Sequence, residues 1–185
     1  MEPWVWVALI VAAAVVVAAV AWLVYRRRRT SELRDWFGSE YDRTVSDADS
    51  RAEGETELQE RRERRERVDV RPLTAESRGR YLDAWEAVQA RFVDAPAVAL
   101  ARAEALAVQV MHERGYPVDD FDQQVAVVSV DHPDVIAHLR AGRAVVERAE
   151  VAEADTEELR QGLMHYRALF DRLLEDGPAP QHRAG

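Results

Sequence analysis

Residues 74–96 read TAESRGRYLDAWEAVQARFVDAP. Tyr81, Trp85, Val88 and Phe92 recur at i, i+4, i+7 and i+11, a spacing that gathers four large apolar side chains on one helical face. Thr74 suits the N-cap, and Glu76 is favourable in the first turn, where the helix end is positive. An aromatic stripe of this kind is the core-facing side of a helix rather than a ligand box.

Working toward the C-terminus, the same logic yields further helices. Asp94 reads as the next N-cap, with Pro96 in the first turn. That helix runs to about Arg114, with Val98, Ala101, Ala105, Val108 and Met111/His112 as its expected inner face. Gly115-Tyr116-Pro117 ends it. Asp119 or Asp120 caps a segment over 121–128; its VAVV run has no second strand to pair with, so it reads as a short buried helix. Asp131-His132-Pro133 repeats the cap-plus-proline start, and the helix after it presents Val135, Ile136, Leu139 and Val146. Asp155 and Glu158 have capping-box spacing. The last helix carries Leu159, Leu163, Tyr166, Phe170, Leu173 and Leu174. The expected fold is all-α: a bundle of about five helices over 74–176, followed by a disordered tail at 177–185. Alternating βαβ patterning is absent, which argues against nucleotide-binding α/β folds.

Toward the N-terminus, 30–73 reads as a charged helical spacer. VDVRPL (68–73) is a connector. In ELQERRERRER (57–67), Glu57/Arg61, Glu60/Arg64 and Glu63/Arg67 are i,i+4 pairs in the favourable direction. Leu58 is the only apolar residue of that run, so no coiled-coil seam exists. Residues 46–56 look like a linker or helix start. Gly38 is a natural stop for the helix before it, and 40–45 suits another short helical turn.

Residues 3–25 hold 23 uncharged residues, mostly Val, Ala, Leu and Trp. A helix of about 20 residues crosses a ~30 Å hydrocarbon core. Trp4 and Trp6 at one end, with Trp22 and Tyr25 at the other, match the aromatic belts of a membrane helix. Arg26, Arg27, Arg28 and Arg29 follow directly. The run is too long for a signal-peptide core and lacks a basic start. Residues 1–29 therefore read as a transmembrane anchor. The arginines place the N-terminus outside and the rest of the chain in the cytoplasm.

The chain of 185 residues has no cysteine, which excludes disulfides and a thiol nucleophile. All 25 basic residues are arginine. Without lysine there is no Schiff-base chemistry and no P-loop. Setting aside Glu2 and the arginines at 26–29 leaves 33 acids against 21 arginines, a net charge of −12 on 30–185. A basic collar at the membrane and an acidic domain beyond it argue against nucleic acid as a partner.

The blocks FGSEYDRTV (37–45), RPLT (71–74), YLDAWEAVQARFVDAP (81–96), RGYPVDDF (114–121), SVDHP (129–133) and TEELRQGLMHYRALFDRLLE (156–175) resemble an uncharacterised family of bacterial single-pass membrane proteins with a helical cytoplasmic domain. The resemblance implies architecture only; it brings no activity, ligand or catalytic residue. Gly54 and Gly162 depart from the helical pattern and are expected to loosen their helices.

The sequence singles out no catalytic, metal or cofactor residues. Asp134 and His138 share a helix face, but a metal site would need a third ligand, such as Asp131 or His165. Ser129 lies too close in sequence to Asp131 and His132 for triad geometry, and neither HExxH nor GxSxG occurs. Asp131, His132, His165 and Tyr166 are read as capping and cross-linking residues that can leave a polar partner groove between the last two helices. The expectation is a non-catalytic interaction or scaffold module anchored in a bacterial cytoplasmic membrane. Its partners are the lipid bilayer and a protein at the cytoplasmic face. The alternatives are a self-associating structural envelope protein and a metal-assisted hydrolase on a helical scaffold.

Overall fold

The computed structural model describes residues 3–175, with the side chains of residue 3 and residues 5–11 outside the description. The Trp6 side chain and the expected tail at 177–185 thus lie outside the description. Every regular element described is helical: α1 (Pro3–Phe37), α2 (Ser39–Asp47), α3 (Arg51–Glu66), α4 (Ala75–Asp94), α5 (Pro96–Glu113), α6 (Phe121–Asp131), a 3-10 turn (Pro133–Val135), α7 (Ile136–Glu150) and α8 (Thr156–Leu174). The all-α expectation and its helical bundle hold. Among the described residues no helix is long and apolar enough to cross a membrane. The described uncharged side chains of α1 run only from Ala12 to Tyr25, 14 residues, before the arginines begin. The membrane span therefore rests on the sequence.

The chain divides after Thr56, within α3, into two compact units. In the first, Gly38 adopts a left-handed φ of 53° and separates α1 from α2. Leu33 and Phe37 of α1 and Tyr41 and Thr44 of α2 are buried. The buried Glu55 carboxylate accepts the Tyr41 hydroxyl at 2.9 Å and the Thr30 hydroxyl at 2.7 Å, both on one oxygen. Gly54 does not loosen α3. A Cβ there would lie 2.9 Å from the Val45 Cα, so glycine is what lets α2 and α3 approach.

The second unit begins with the rest of α3. The three expected Glu/Arg pairs form, Glu60–Arg64 and Glu63–Arg67 at 3.9 Å each, together with Glu57–Arg61. The helix is not uniformly solvated, however: Leu58 and Arg61 are buried. The connector after it lies against the end of α5, where the Arg71 N–H donates to the Arg114 carbonyl at 3.0 Å. Gly115 takes φ 90°, and any Cβ there would meet the Asp69 carbonyl oxygen at 2.4 Å.

The bundle core joins Tyr81, Trp85 and Val88 of α4 to α5, α6, α7 and α8. Trp85 stacks on Phe170 of α8 with ring centroids 4.8 Å apart. Phe92 packs partly buried against this core. The inner face of α5 differs from the expected one. Ala99, Leu100, Ala103, Leu106, Ala107, Val110 and Met111 are buried, whereas Val98, Ala101, Ala105 and His112 face solvent. Twelve of the 18 residues of α5 are Ala, Val, Leu or Met, so the sequence marks no unique face, and contact with α4, α7 and α8 selected the one that is covered. Asp94 is the last residue of α4 rather than a cap; Ala95 occupies the N-cap of α5 without a side-chain bond. Asp120 caps α6, whose residues from Gln124 to Asp131 are all buried. At α8 the capping box forms as expected, Asp155 accepting the Glu158 N–H at 2.8 Å and Glu158 accepting the Asp155 N–H at 3.0 Å.

Helices α7 and α8 cross closely. A Cβ on Gly142 would lie 2.9 Å from the Tyr166 ring, and one on Gly162 would lie 3.0 Å from Leu100 and Val145 side-chain carbons. Gly162 therefore sits at a three-helix contact instead of loosening α8. Its propensity cost of about 1 kcal/mol is offset by the close packing it permits.

Candidate functional site

The four residues expected at a partner groove divide into a core set and a surface residue. Asp131 ends α6 instead of starting the next helix. It is buried, and its Oδ2 accepts the Tyr116 hydroxyl at 2.7 Å and the Arg65 Nε at 2.6 Å. Desolvation, with the Asp131 carboxylate second, raises the Tyr116 pKa. His132 is fully buried, and neither ring nitrogen has a hydrogen-bond partner among the described residues. Burial first, then the Arg114 and Arg172 charges, pushes its pKa down to about 4. Tyr166 is also buried; its hydroxyl donates to Glu104 at 3.2 Å, on the oxygen that accepts Arg143 at 2.9 Å. Burial and then Glu104 raise the Tyr166 pKa. These three side chains are buried, and Tyr166 lines the cavity beside Glu104 and Phe121 that is described below. Asp131 departs from the expected cap because a polar residue at a helix start looks the same in sequence whether its carboxylate faces water or a tyrosine.

His165 alone of the four is partly exposed, and it faces His138 of α7. The two Nδ1 atoms are 2.9 Å apart, and the ring centroids 5.2 Å apart at 39°. Desolvation, then the His138 ring, lowers the His165 pKa. Asp134 does not join the pair; its carboxylate lies 3.4 Å from Arg172. Among the described residues no three His, Cys, Asp or Glu side chains converge as a metal-ligand set.

Sequence reasoning missed Arg114. It is fully buried, and its Nη1 donates to the Leu173 carbonyl at 2.6 Å, while Arg78 donates to the Leu174 carbonyl. Two arginines thus satisfy the unpaired carbonyls where α8 ends, which is where a cation is favoured. Nothing in the local sequence separates Arg114 from the many solvated arginines.

Also unforeseen is a surface cleft of about 420 Å³ between α4 and α5. Ala84, Ala87 and Ala105 line it together with the buried Val88 and Leu106, and Arg91, Arg102 and Gln109 are its polar lining. No acidic residue lines it, and among the described residues neither arginine makes an ion pair. Of its alanines, Ala105 is one the sequence assigned to an inner face. A second cavity, about 180 Å³, lies beside Glu104, Phe121, Arg143 and Tyr166, where Arg143 rests 5.9 Å over the Phe121 ring.

Of the membrane-interface residues, Trp4, Trp22 and Tyr25 are exposed on α1, and Arg26 lies 5.4 Å over the Trp22 ring. Val15, Val16, Val17, Val20 and Leu23 are exposed beside them.

No protein-family model, no curated protein and no solved structure matches this chain.

Proposed function

We propose that this chain is a non-catalytic interaction module, anchored in a bacterial cytoplasmic membrane by residues 1–29, whose helical bundle docks a protein partner in the α4/α5 groove. The observation that carries the reading is the groove itself: small and apolar lining side chains beside two arginines that make no ion pair among the described residues. Small side chains let another backbone come close, and two uncompensated guanidinium groups favour carboxylates. The matching occupant is an acidic amphipathic helix of another protein. Support for the anchor comes from the uncharged run at 3–25, its flanking Trp and Arg residues, and the row of exposed valines on α1. An apolar surface that large on one helix calls for a covering medium. Tethering would raise the partner's local concentration at the membrane.

The test is site-specific photo-crosslinking of the full chain in native membranes, with the probe at Ala87 and, as control, at Gln161 on α8. A single adduct of defined mass from Ala87, lost in Arg91→Glu/Arg102→Glu, supports the proposal. An adduct at twice the chain's own mass would favour self-association instead. Equal labelling from both positions, or none, would remove the groove as a docking surface.

A further inference from the structure

We infer that His138 and His165 form a two-imidazole clip for a transition-metal ion of the Zn²⁺, Ni²⁺ or Cu²⁺ type, closing α7 onto α8. The inference is independent of the groove proposal. The two Nδ1 atoms face each other at 2.9 Å across the helix pair, 27 residues apart in sequence. A contact between two imidazole Nδ1 atoms demands that one carry a hydrogen and the other present a lone pair. Both rings must then be neutral or share a single extra proton. Imidazole nitrogen is a preferred donor for these ions. At a metal–nitrogen length of ~2.0–2.1 Å and tetrahedral angles, two ligand nitrogens lie roughly 3.3 Å apart, so the pair must open by about 0.4 Å.

The surrounding contacts hold the pair in register. Gly142 admits the Tyr166 ring on one side, Arg148 pairs with Glu158 at 2.6 Å toward one end of the helix pair, and Arg172 lies 3.4 Å from Asp134 toward the other. The backbones are thus fixed while the imidazole χ2 torsions remain free to turn. On binding, the donor ring loses its Nδ1 proton to solvent and takes one from solvent at Nε2, so both rings become neutral Nε2–H tautomers and both Nδ1 lone pairs are given to the metal. Both histidines are partly exposed, so water completes the coordination. The third protein ligand expected from the sequence is absent among the described residues, so the affinity rests on the two nitrogens and their preorganisation.

The experiment is thermal unfolding of the untagged full chain in detergent, titrated with Zn²⁺ alone. The expected result is a saturable rise in Tm that EDTA reverses, as binding to the folded state requires. His138→Ala and His165→Ala should each abolish the rise, whereas His112→Ala, at an exposed position elsewhere, should retain it. If a variant fails to fold, ring-¹⁵N histidine spectra of the wild-type chain decide. Zn²⁺ should move two Nδ1 resonances together at one equivalent. An unchanged Tm in the wild type, a rise that survives His165→Ala, or resonance shifts confined to other histidines would overturn the clip.

Discussion

Arg65 Nε donates to the Asp131 Oδ2 at 2.6 Å, on the oxygen that also accepts the Tyr116 hydroxyl at 2.7 Å. The Arg65 side chain is 18% exposed and that of Asp131 7%, so the charge pair is largely out of water. One carboxylate thereby joins the end of α3, the turn after α5 and the end of α6. Removing one partner of a buried pair leaves the other charge desolvated, at a cost of roughly 3–5 kcal/mol. Arg65→Met keeps the aliphatic stem and leaves Asp131 with Tyr116 alone; we expect a loss of about 3 kcal/mol in urea unfolding. Tyr116→Phe should cost about 1–2 kcal/mol. The double variant should lose less than the sum, because both act on one oxygen. Strict additivity would show that the shared carboxylate does not couple them.

The sequence made this bundle legible where periodicity and caps coincide. Tyr81, Trp85 and Val88 were recognisable because large side chains at helical spacing have one place to go, and Asp155/Glu158 because the capping box is local. Gly38 and Gly115 were legible for the same local reason. The α5 face was not, since alanine and valine surround that helix and only its neighbours decide which side is covered. The Arg65–Asp131 and His138–His165 contacts span 66 and 27 residues, and no local rule pairs one arginine among 25 with one particular acid. The groove was illegible because it exists only where two helices meet: of its lining, the sequence reading placed Val88 and Ala105 on buried faces and singled out none of the others.

His132 makes stability depend on pH in a defined window. Its folded-state pKa, about 4, lies below the ordinary 6.5 because burial and two arginines disfavour the imidazolium. A depressed pKa gives stability that is complete above about 6.5 and is lost as pH falls toward 4, since the unfolded chain takes up the proton first. At ~1.4 kcal/mol per unit, about 2 kcal/mol should be gone by pH 5. His165, also shifted down, adds in the same direction. In His132→Leu the slope of stability between pH 7 and pH 5 should flatten markedly. An unchanged slope in that variant would assign the dependence to other groups.

Ala152 carries the one positive φ among the described non-glycine residues, 58°. It follows the C-cap of α7. The Glu153 N–H donates to the Arg148 carbonyl at 2.9 Å, and the Ala152 N–H to the Ala149 carbonyl at 3.1 Å, which together form a Schellman motif. A Cβ in the left-handed region costs roughly 1–2 kcal/mol, and glycine removes that cost. The greater freedom of glycine in the unfolded chain returns part of it. Ala152→Gly should therefore stabilise the domain by about 1 kcal/mol, raising the urea midpoint with the slope unchanged. A destabilised variant would mean that the turn relaxes in solution.

The opposite outcome is expected at Gly142. Alanine is favoured over glycine in a helix by about 1 kcal/mol. Yet a Cβ at 142 would lie 2.9 Å from the Tyr166 ring, which is buried and tied to Glu104 by its hydroxyl. Overpacking of this kind costs about 1–3 kcal/mol. Since the ring cannot swing away without breaking that bond, the clash should win, and Gly142→Ala should destabilise by about 1 kcal/mol net. In the Tyr166→Leu background the same substitution should become neutral or stabilising. Destabilisation that persists there would place the strain in the helix backbone.

The proposed anchor fixes an orientation that a reporter can read. Four arginines follow the uncharged run, at 26–29. Arginine is retained on the cytoplasmic side of a membrane helix, whereas acids contribute little to the choice. A C-terminal fusion to a reporter active only in the cytoplasm should therefore be active, and one active only outside the cell silent. Replacing all four arginines by glutamine removes the retained charge and should mix the two topologies. The exposed Trp4 and Trp22 rings would keep both belts, so membrane association itself should persist in that variant. Release of the wild-type chain from membranes by high salt alone would contradict a span, because salt screens the arginine–headgroup attraction but leaves the burial of 23 uncharged residues in place.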